Sequence, residues 1–181
     1  MRRSRLVGSA LLFTIVPSVA LTLAQAPQAP KPGPEHAKLA AFAGTWKGQA
    51  EVKASPFGRG GKMTWTETCE WFEGGFHLVC KSSGESTAAK QQGLSILGWD
   101  AETTSYTYYS MDSTGWFNFA EGSVSGDTWI WGSERTMGGK IVRSRYTVHQ
   151  LTPTSTKFTF EMQQDGGGWT LVMEGGSEKT K

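Results

Sequence analysis

A chain of 181 residues and 19.7 kDa holds a single domain with room for a tail, since one core occupies ~100 to 200 residues, and a multidomain machine is excluded. With 38% hydrophobic, 12% aromatic and 19% charged residues, the composition is too apolar and aromatic for a disordered chain. The formal charge of +2 suggests an anionic partner only if the basic residues lie in the folded part. Arg2, Arg3 and Arg5 instead precede an apolar run over 6–23 that ends in Ala24-Gln25-Ala26. A basic region, a hydrophobic region and an A-x-A site in that order mark residues 1–26 as a secretory signal peptide. A cut after Ala26 would leave Pro27 first, so cleavage at Ala20 or Ala24 stays open. Gly8, Thr14, Pro17 and Ser18 interrupt a run already at the short limit of ~18 to 20 residues for a spanning helix, which argues against an uncleaved anchor. Removing the three arginines from the 18 basic residues leaves 15 against 16 acidic ones, a net charge of −1. The expected mature protein is soluble, without a membrane span, and either periplasmic or secreted.

Residues 27–34, with Pro27, Pro30, Pro32, Gly33 and Pro34, read as a proline-rich linker, and the domain proper as 35–181. Within it, 35–43 sets Leu39, Phe42 and Ala43 at helical spacing and stops at Gly44, so one short helix is expected. From there the pattern alternates, with β-type runs at 45–54, 62–72, 76–82, 93–99, 106–111, 115–122, 128–133, 140–150, 156–162 and 169–174. Gly, Asp, Ser and Pro turns separate them. Short sequential connections make neighbours antiparallel. The expected fold class is all-β: an antiparallel up-and-down barrel of about ten short strands with one N-terminal helix.

If Glu73-Gly74-Gly75-Phe76 forms a hairpin tip, Cys69 and Cys80 stand equally far from it and face each other across the strand pair. An exported protein meets an oxidising compartment, so a Cys69–Cys80 disulfide is expected. The same register puts Met63, Trp65, Glu67, Cys69 and Trp71 on one face. Glu67 is thus an acid on an apolar face, where it must be paired, hydrated or protonated, unless that strand end is simply solvated.

Several spaced motifs carry a resemblance. They are Pro34-Glu35-His36 with Leu39, then Gly44-Thr45-Trp46, and then Gly93-Leu94-Ser95-Ile96-Leu97-Gly98-Trp99-Asp100. Tyr106, Asp112-Ser113, Glu121-Gly122 and Arg145 follow, and Trp169-Thr170-Leu171-Val172-Met173-Glu174 closes the series. In that order the chain resembles the bacterial family of domain of unknown function 1579. The resemblance implies a lipocalin-like, calycin-type barrel in which the G-x-W tryptophan packs across the closed end, often beneath a late-strand arginine. Gly44 and Trp46 match the first element as structural residues, and Arg145 or Arg143 would supply the second. Gly175-Gly176-Ser177 stands where the family often has an aromatic-basic pair, which points to an early end for the last strand. The resemblance implies a fold and no reaction.

No catalytic constellation emerges. Gly93-Leu94-Ser95 and 122–126 both break the G-x-S-x-G spacing of a nucleophile elbow. Residues 58–62 lack the spacing and following Ser or Thr of a phosphate loop. His36, His77 and His149 have no metal-ligand spacing. His149, near a strand end, is the position to weigh against the related nitrobindins, which bind haem through a late-strand histidine, but a lone strand-end histidine usually stays on the surface; neither a cofactor nor a metal is expected. Along 140–150, odd positions facing inward would put Arg143 and Arg145 in the barrel to clamp a carboxylate. Even positions facing inward, with Val142, Tyr146 and Val148, match more apolar residues. Residues 91–134 contain six acids, no Lys or Arg, and many aromatics, a poor surface for phosphate backbones, so no nucleic-acid partner is expected.

The reading is an exported barrel that binds a small apolar or amphipathic ligand without catalysis. Trp65, Glu67, Trp99, Tyr108, Trp116 and Arg145 are the candidate contacts. Two alternatives stand beside it. One is a cofactor-free enzyme acting on a lipid-like substrate, with Glu67 as acid/base and Arg145 holding an oxyanion. The other is an envelope interaction module with a solid core.

Overall fold

The computed structural model describes residues 29–87 and 89–180, so the signal-peptide reading of 1–26 lies outside the described residues. The chain divides into two units, Met1–Pro30 and Lys31–Lys181; the described part of the first is residues 29 and 30, which form no helix or strand. In the second, α1 (Pro34–Lys38) runs into a 3-10 turn, Leu39–Ala41. Pro34 opens the helix, where its missing N–H costs nothing. The tighter turn then ends it, with Phe42 N–H donating to Leu39 O at 3.0 Å.

Ten strands follow: β1 (Gly44–Val52), β2 (Gly61–Trp71), β3 (Leu78–Ser86), β4 (Lys90–Asp100), β5 (Ser105–Asp112), β6 (Phe117–Ser125), β7 (Thr128–Met137), β8 (Lys140–Thr152), β9 (Ser155–Gln164) and β10 (Thr170–Lys179). Each pairs antiparallel with its sequence neighbour, and β1 pairs with β10 to close the barrel. Closure leaves no free sheet edge. Among the described residues no helix is long and apolar enough to cross a membrane.

The strands lie where alternation puts them, and several extend further. The largest extension corrects an expectation: β10 does not stop at the Gly175-Gly176 pair but pairs with β1 as far as Trp46 and Lys179. The glycines bring the seam together. A Cβ on Gly175 would overlap Gln49 O and Ala50, and one on Gly176 would lie 2.6 Å from Thr156 O. Only residues without a side chain let β10 approach both neighbours this closely.

The β2–β3 hairpin has the expected register. Cys69 faces Cys80, and the two form a disulfide with Cα atoms 4.0 Å apart. Its tip carries Gly74 and Gly75 at φ +90° and +75°, a region that favours glycine.

The helical segment covers one end of the barrel. Leu39 is 0% exposed, and Phe42 packs edge-on against Trp129 at 5.0 Å. Trp46 Nε1 donates to Phe42 O at 2.9 Å, and Tyr106 Oη donates to Glu35 Oε2 at 2.6 Å. Lys38 and Tyr106 hydrogen bonds together hold the Glu35 carboxyl below its ordinary range. Trp46 thus closes this end, with Gly44 beside it at φ +108°. The cation over the Trp46 ring is Lys179, 5.6 Å from the centroid, not Arg143 or Arg145. Those two sit outside, paired with Glu134 and Glu161.

Candidate functional site

Inward side chains change character along the barrel. Towards the covered end Leu78, Leu97, Tyr106, Trp129 and Val148 pack a dry core. Further along, the inward positions of β3 to β6 become small or polar: Ser82 and Gly84, Gln91, Ser110, and Asn118. Small side chains on these strands cannot reach the opposite wall, and a cavity of about 320 Å³ remains. That volume falls at the lower end of the ~300 to 1,000 Å³ usual for small-molecule sites.

The opposite wall is aromatic. Trp65 lies 5.8 Å from Phe158, Phe158 lies 5.3 Å from Tyr146, and Tyr146 lies 6.4 Å from Phe160 and 6.2 Å from Trp131, all between ring centroids. Tyr108 continues the belt, 6.0 Å from Trp131. Cross-strand glycines let the indoles lie flat on the wall. Gly48 stands opposite Trp65 and Gly122 opposite Trp131, and a Cβ on either would overlap the facing ring. Met63 and Met173 fill the remaining apolar surface.

Glu67 is the only formally charged residue among the described residues that line the cavity. No described residue offers its carboxylate a hydrogen bond or an ion pair, and burial raises its pKa above the ordinary carboxylate value. Tyr108 is pushed up to about 12 by burial and then by the Glu67 charge. Burial, followed by the nearby Tyr108 and Glu67 charges, also raises Tyr146. The buried Ser95 and Ser110 hydroxyls lie beside the Tyr108 phenol and partly offset its rise. Glu67 also lies within 4.8 Å of both sulfurs of the Cys69–Cys80 pair. Because the sulfurs are bonded to each other, this group is not a three-ligand metal site.

A carboxyl whose folded pKa is raised binds more protons in the folded than in the unfolded state. Stability therefore falls as pH rises from the unfolded value towards the folded one, and is unaffected by this group below both. Glu67→Gln is expected to raise the melting temperature at pH 8 and to leave it unchanged near pH 3. Equal shifts at both pH values would show that Glu67 does not titrate in this way.

Of the six residues expected to contact a ligand, Trp65, Glu67, Tyr108 and Trp116 line the cavity. Trp116 is 42% exposed at the rim, its N–H held by Asp112 Oδ1 at 3.2 Å in the β5–β6 turn. The other two require correction. Trp99 has the inward parity but belongs to the covered end, packed on Tyr106 at 4.8 Å. Arg145 points outward, since the even positions of β8 face in. Its Nη2 meets Glu161 at 2.8 Å and its guanidinium stacks on Trp169 at 4.6 Å. Glu67 and Arg145 are thus on opposite sides of the wall, and the acid/base and oxyanion pairing has no geometry to support it. The interior is not solid either, against the interaction-module alternative. His149 also faces outward, its Nδ1 3.0 Å from Thr128 Oγ1, and no histidine lines the cavity.

Sequence reasoning placed Tyr146 in the core and did not single out Trp131, Phe158, Phe160, Ser110 or Ser144 as contacts. Their signal was available in one respect. Several inward positions turn small or polar, at one end of the barrel only, and strands that merely pack would not show this.

A model of the family described as protein of unknown function (DUF1579) matches residues 31–179. No curated protein matches the chain. The crystal structure of Rv2717c from M. tuberculosis superposes with a TM-score of 0.57 at 13% identity, covering 82% of this chain and 99% of that one. The S-type phycobiliprotein lyase CPES from Guillardia theta superposes with a TM-score of 0.52 at 10% identity, covering 81% and 92%. At such identities the likeness is one of fold alone.

Proposed function

We propose a non-catalytic ligand-binding function for this chain, which belongs to the DUF1579 family of proteins of unknown function. The ligand is small, largely apolar, and held inside the barrel. The observation that carries this reading is the cavity of about 320 Å³ between an aromatic wall and a row of small polar residues. Sites of this form bury most of a small ligand against apolar surface and orient it with a few polar groups; here Glu67, Tyr108 and Ser110 fill that role. Export to the periplasm or beyond is part of the proposal, supported by the leader pattern in 1–26 and by the disulfide.

The test is tryptophan-fluorescence titration with a panel of lipids, quinones, haems and isoprenoids, repeated on Gly48→Ala. The added methyl must push the Trp65 ring into the cavity, at a stability cost of about 1–3 kcal/mol. At least one panel member should quench saturably and bind Gly48→Ala about tenfold more weakly. Asn118→Phe, which fills the cavity from the opposite wall, should act likewise if Gly48→Ala proves too unstable. No saturable binding across the panel, or binding indifferent to both substitutions, would overturn the proposal.

A further inference from the structure

The cavity's polar chemistry is one-sided. Its single formal charge is negative, and no described residue supplies Glu67 with a cation or a donor. An unpaired acid in an aromatic pocket is costly to the fold unless something neutralises it or donates to it. The rings around it present π-faces, which attract cations and planar N–H-bearing groups. The Glu67 charge is felt by two titratable neighbours, Tyr108 and Tyr146. Their raised values keep both as neutral phenols, able to accept as well as donate. Arg143 and Arg145 are engaged outside the wall, and Arg135 lies over the rim Trp116 at 5.9 Å, donating to Phe117 O, so a ligand carboxylate at the buried end of the cavity would meet Glu67 with no counter-charge among the lining residues.

Resting on the binding reading above, we propose that the cavity selects ligands whose buried end is a hydrogen-bond-donating nitrogen, a protonated amine above all, on an aromatic or alicyclic body, and that it rejects carboxylates. Glu67 receives the donor, and the Trp65–Phe158–Tyr146–Trp131 belt encloses the body. This is the reverse of a fatty-acid site, in which an inward arginine would hold the acid.

The experiment compares three ligands on one skeleton by calorimetry at pH 7.5: 1-naphthylmethylamine, 1-naphthalenemethanol and 1-naphthoate. The amine should bind about tenfold tighter than the alcohol, with naphthoate the weakest. Glu67→Gln keeps the shape and removes the charge, and should cut amine affinity about tenfold while changing that of the alcohol less than about threefold. In the wild-type protein, amine binding should weaken on acidification through the raised Glu67 pKa, a readout that needs no variant. Naphthoate binding as tightly as the amine, or an amine preference that survives Glu67→Gln, would overturn the inference while saturable binding of the alcohol leaves the cavity reading standing. Failure of all three to bind would overturn the inference, and the cavity reading would then stand or fall on the wider panel above.

Discussion

Leu39→Ala is expected to destabilise the protein by about 2–5 kcal/mol, the range for truncating a fully buried leucine. Leu39 is 0% exposed although it lies in a short helical turn outside the sheet. That turn has few other means of staying in place. Five residues of α-helix are far too few to be stable alone, so the segment depends on Leu39 and Phe42 entering the barrel end and on the Glu35–Tyr106 and Trp46–Phe42 hydrogen bonds. Removing the three heavy atoms beyond Cβ leaves a void that the rigid strand ends cannot close. Loss of the cover would also wet Tyr106, whose ionisation is suppressed first by burial and then by the Glu35 hydrogen bond. Leu39→Ala should therefore lower the urea midpoint and bring the Tyr106 titration closer to that of an ordinary tyrosine. A midpoint within error of wild type would mean that the helical turn is not an integral part of the fold.

Parity was legible in the sequence, whereas position along the barrel was not. The Cys69–Cys80 pairing follows from the turn alone, because in an antiparallel hairpin the tip sets the register. The inward face of β8 follows from counting apolar residues at Val142, Tyr146 and Val148. Trp65 and Trp99 share the inward parity, yet one lines a cavity and the other packs a closed end. Which end a side chain occupies depends on strand direction and on what covers the barrel, and neither has a local signature. Alternation also fails at the cavity itself. Inward Gly84 and Gln91 fall outside the β-type runs at 76–82 and 93–99, so β3 and β4 were placed too short at the ends that form one wall of the site. The Gly175-Gly176 pair misled for a related reason: a residue that weakens an isolated strand permits closure when two neighbours press against it.

Reducing the Cys69–Cys80 disulfide, or replacing both cysteines with alanine, is expected to cost about 3 kcal/mol, the chain-entropy value for a loop of this length. The separation is 11 residues, a short loop that the hairpin register already brings together, so the gain lies in limiting the unfolded chain. Guanidinium unfolding with and without reductant would measure it, and an unchanged midpoint would show that the bond adds nothing. A second consequence concerns the site. Glu67 lies on the same face of β2 as Cys69 and within 4.8 Å of both sulfurs, so the bond fixes the strand that presents the carboxylate. Two thiols would be weak donors beside that acid where the disulfide offers none. Reduction should therefore lower the Glu67 pKa and move the acid limb of amine binding to lower pH as well as reduce stability, whereas a purely structural staple would change stability alone. The comparison needs conditions in which the reduced protein remains folded, which a ligand titration at low temperature and without denaturant provides.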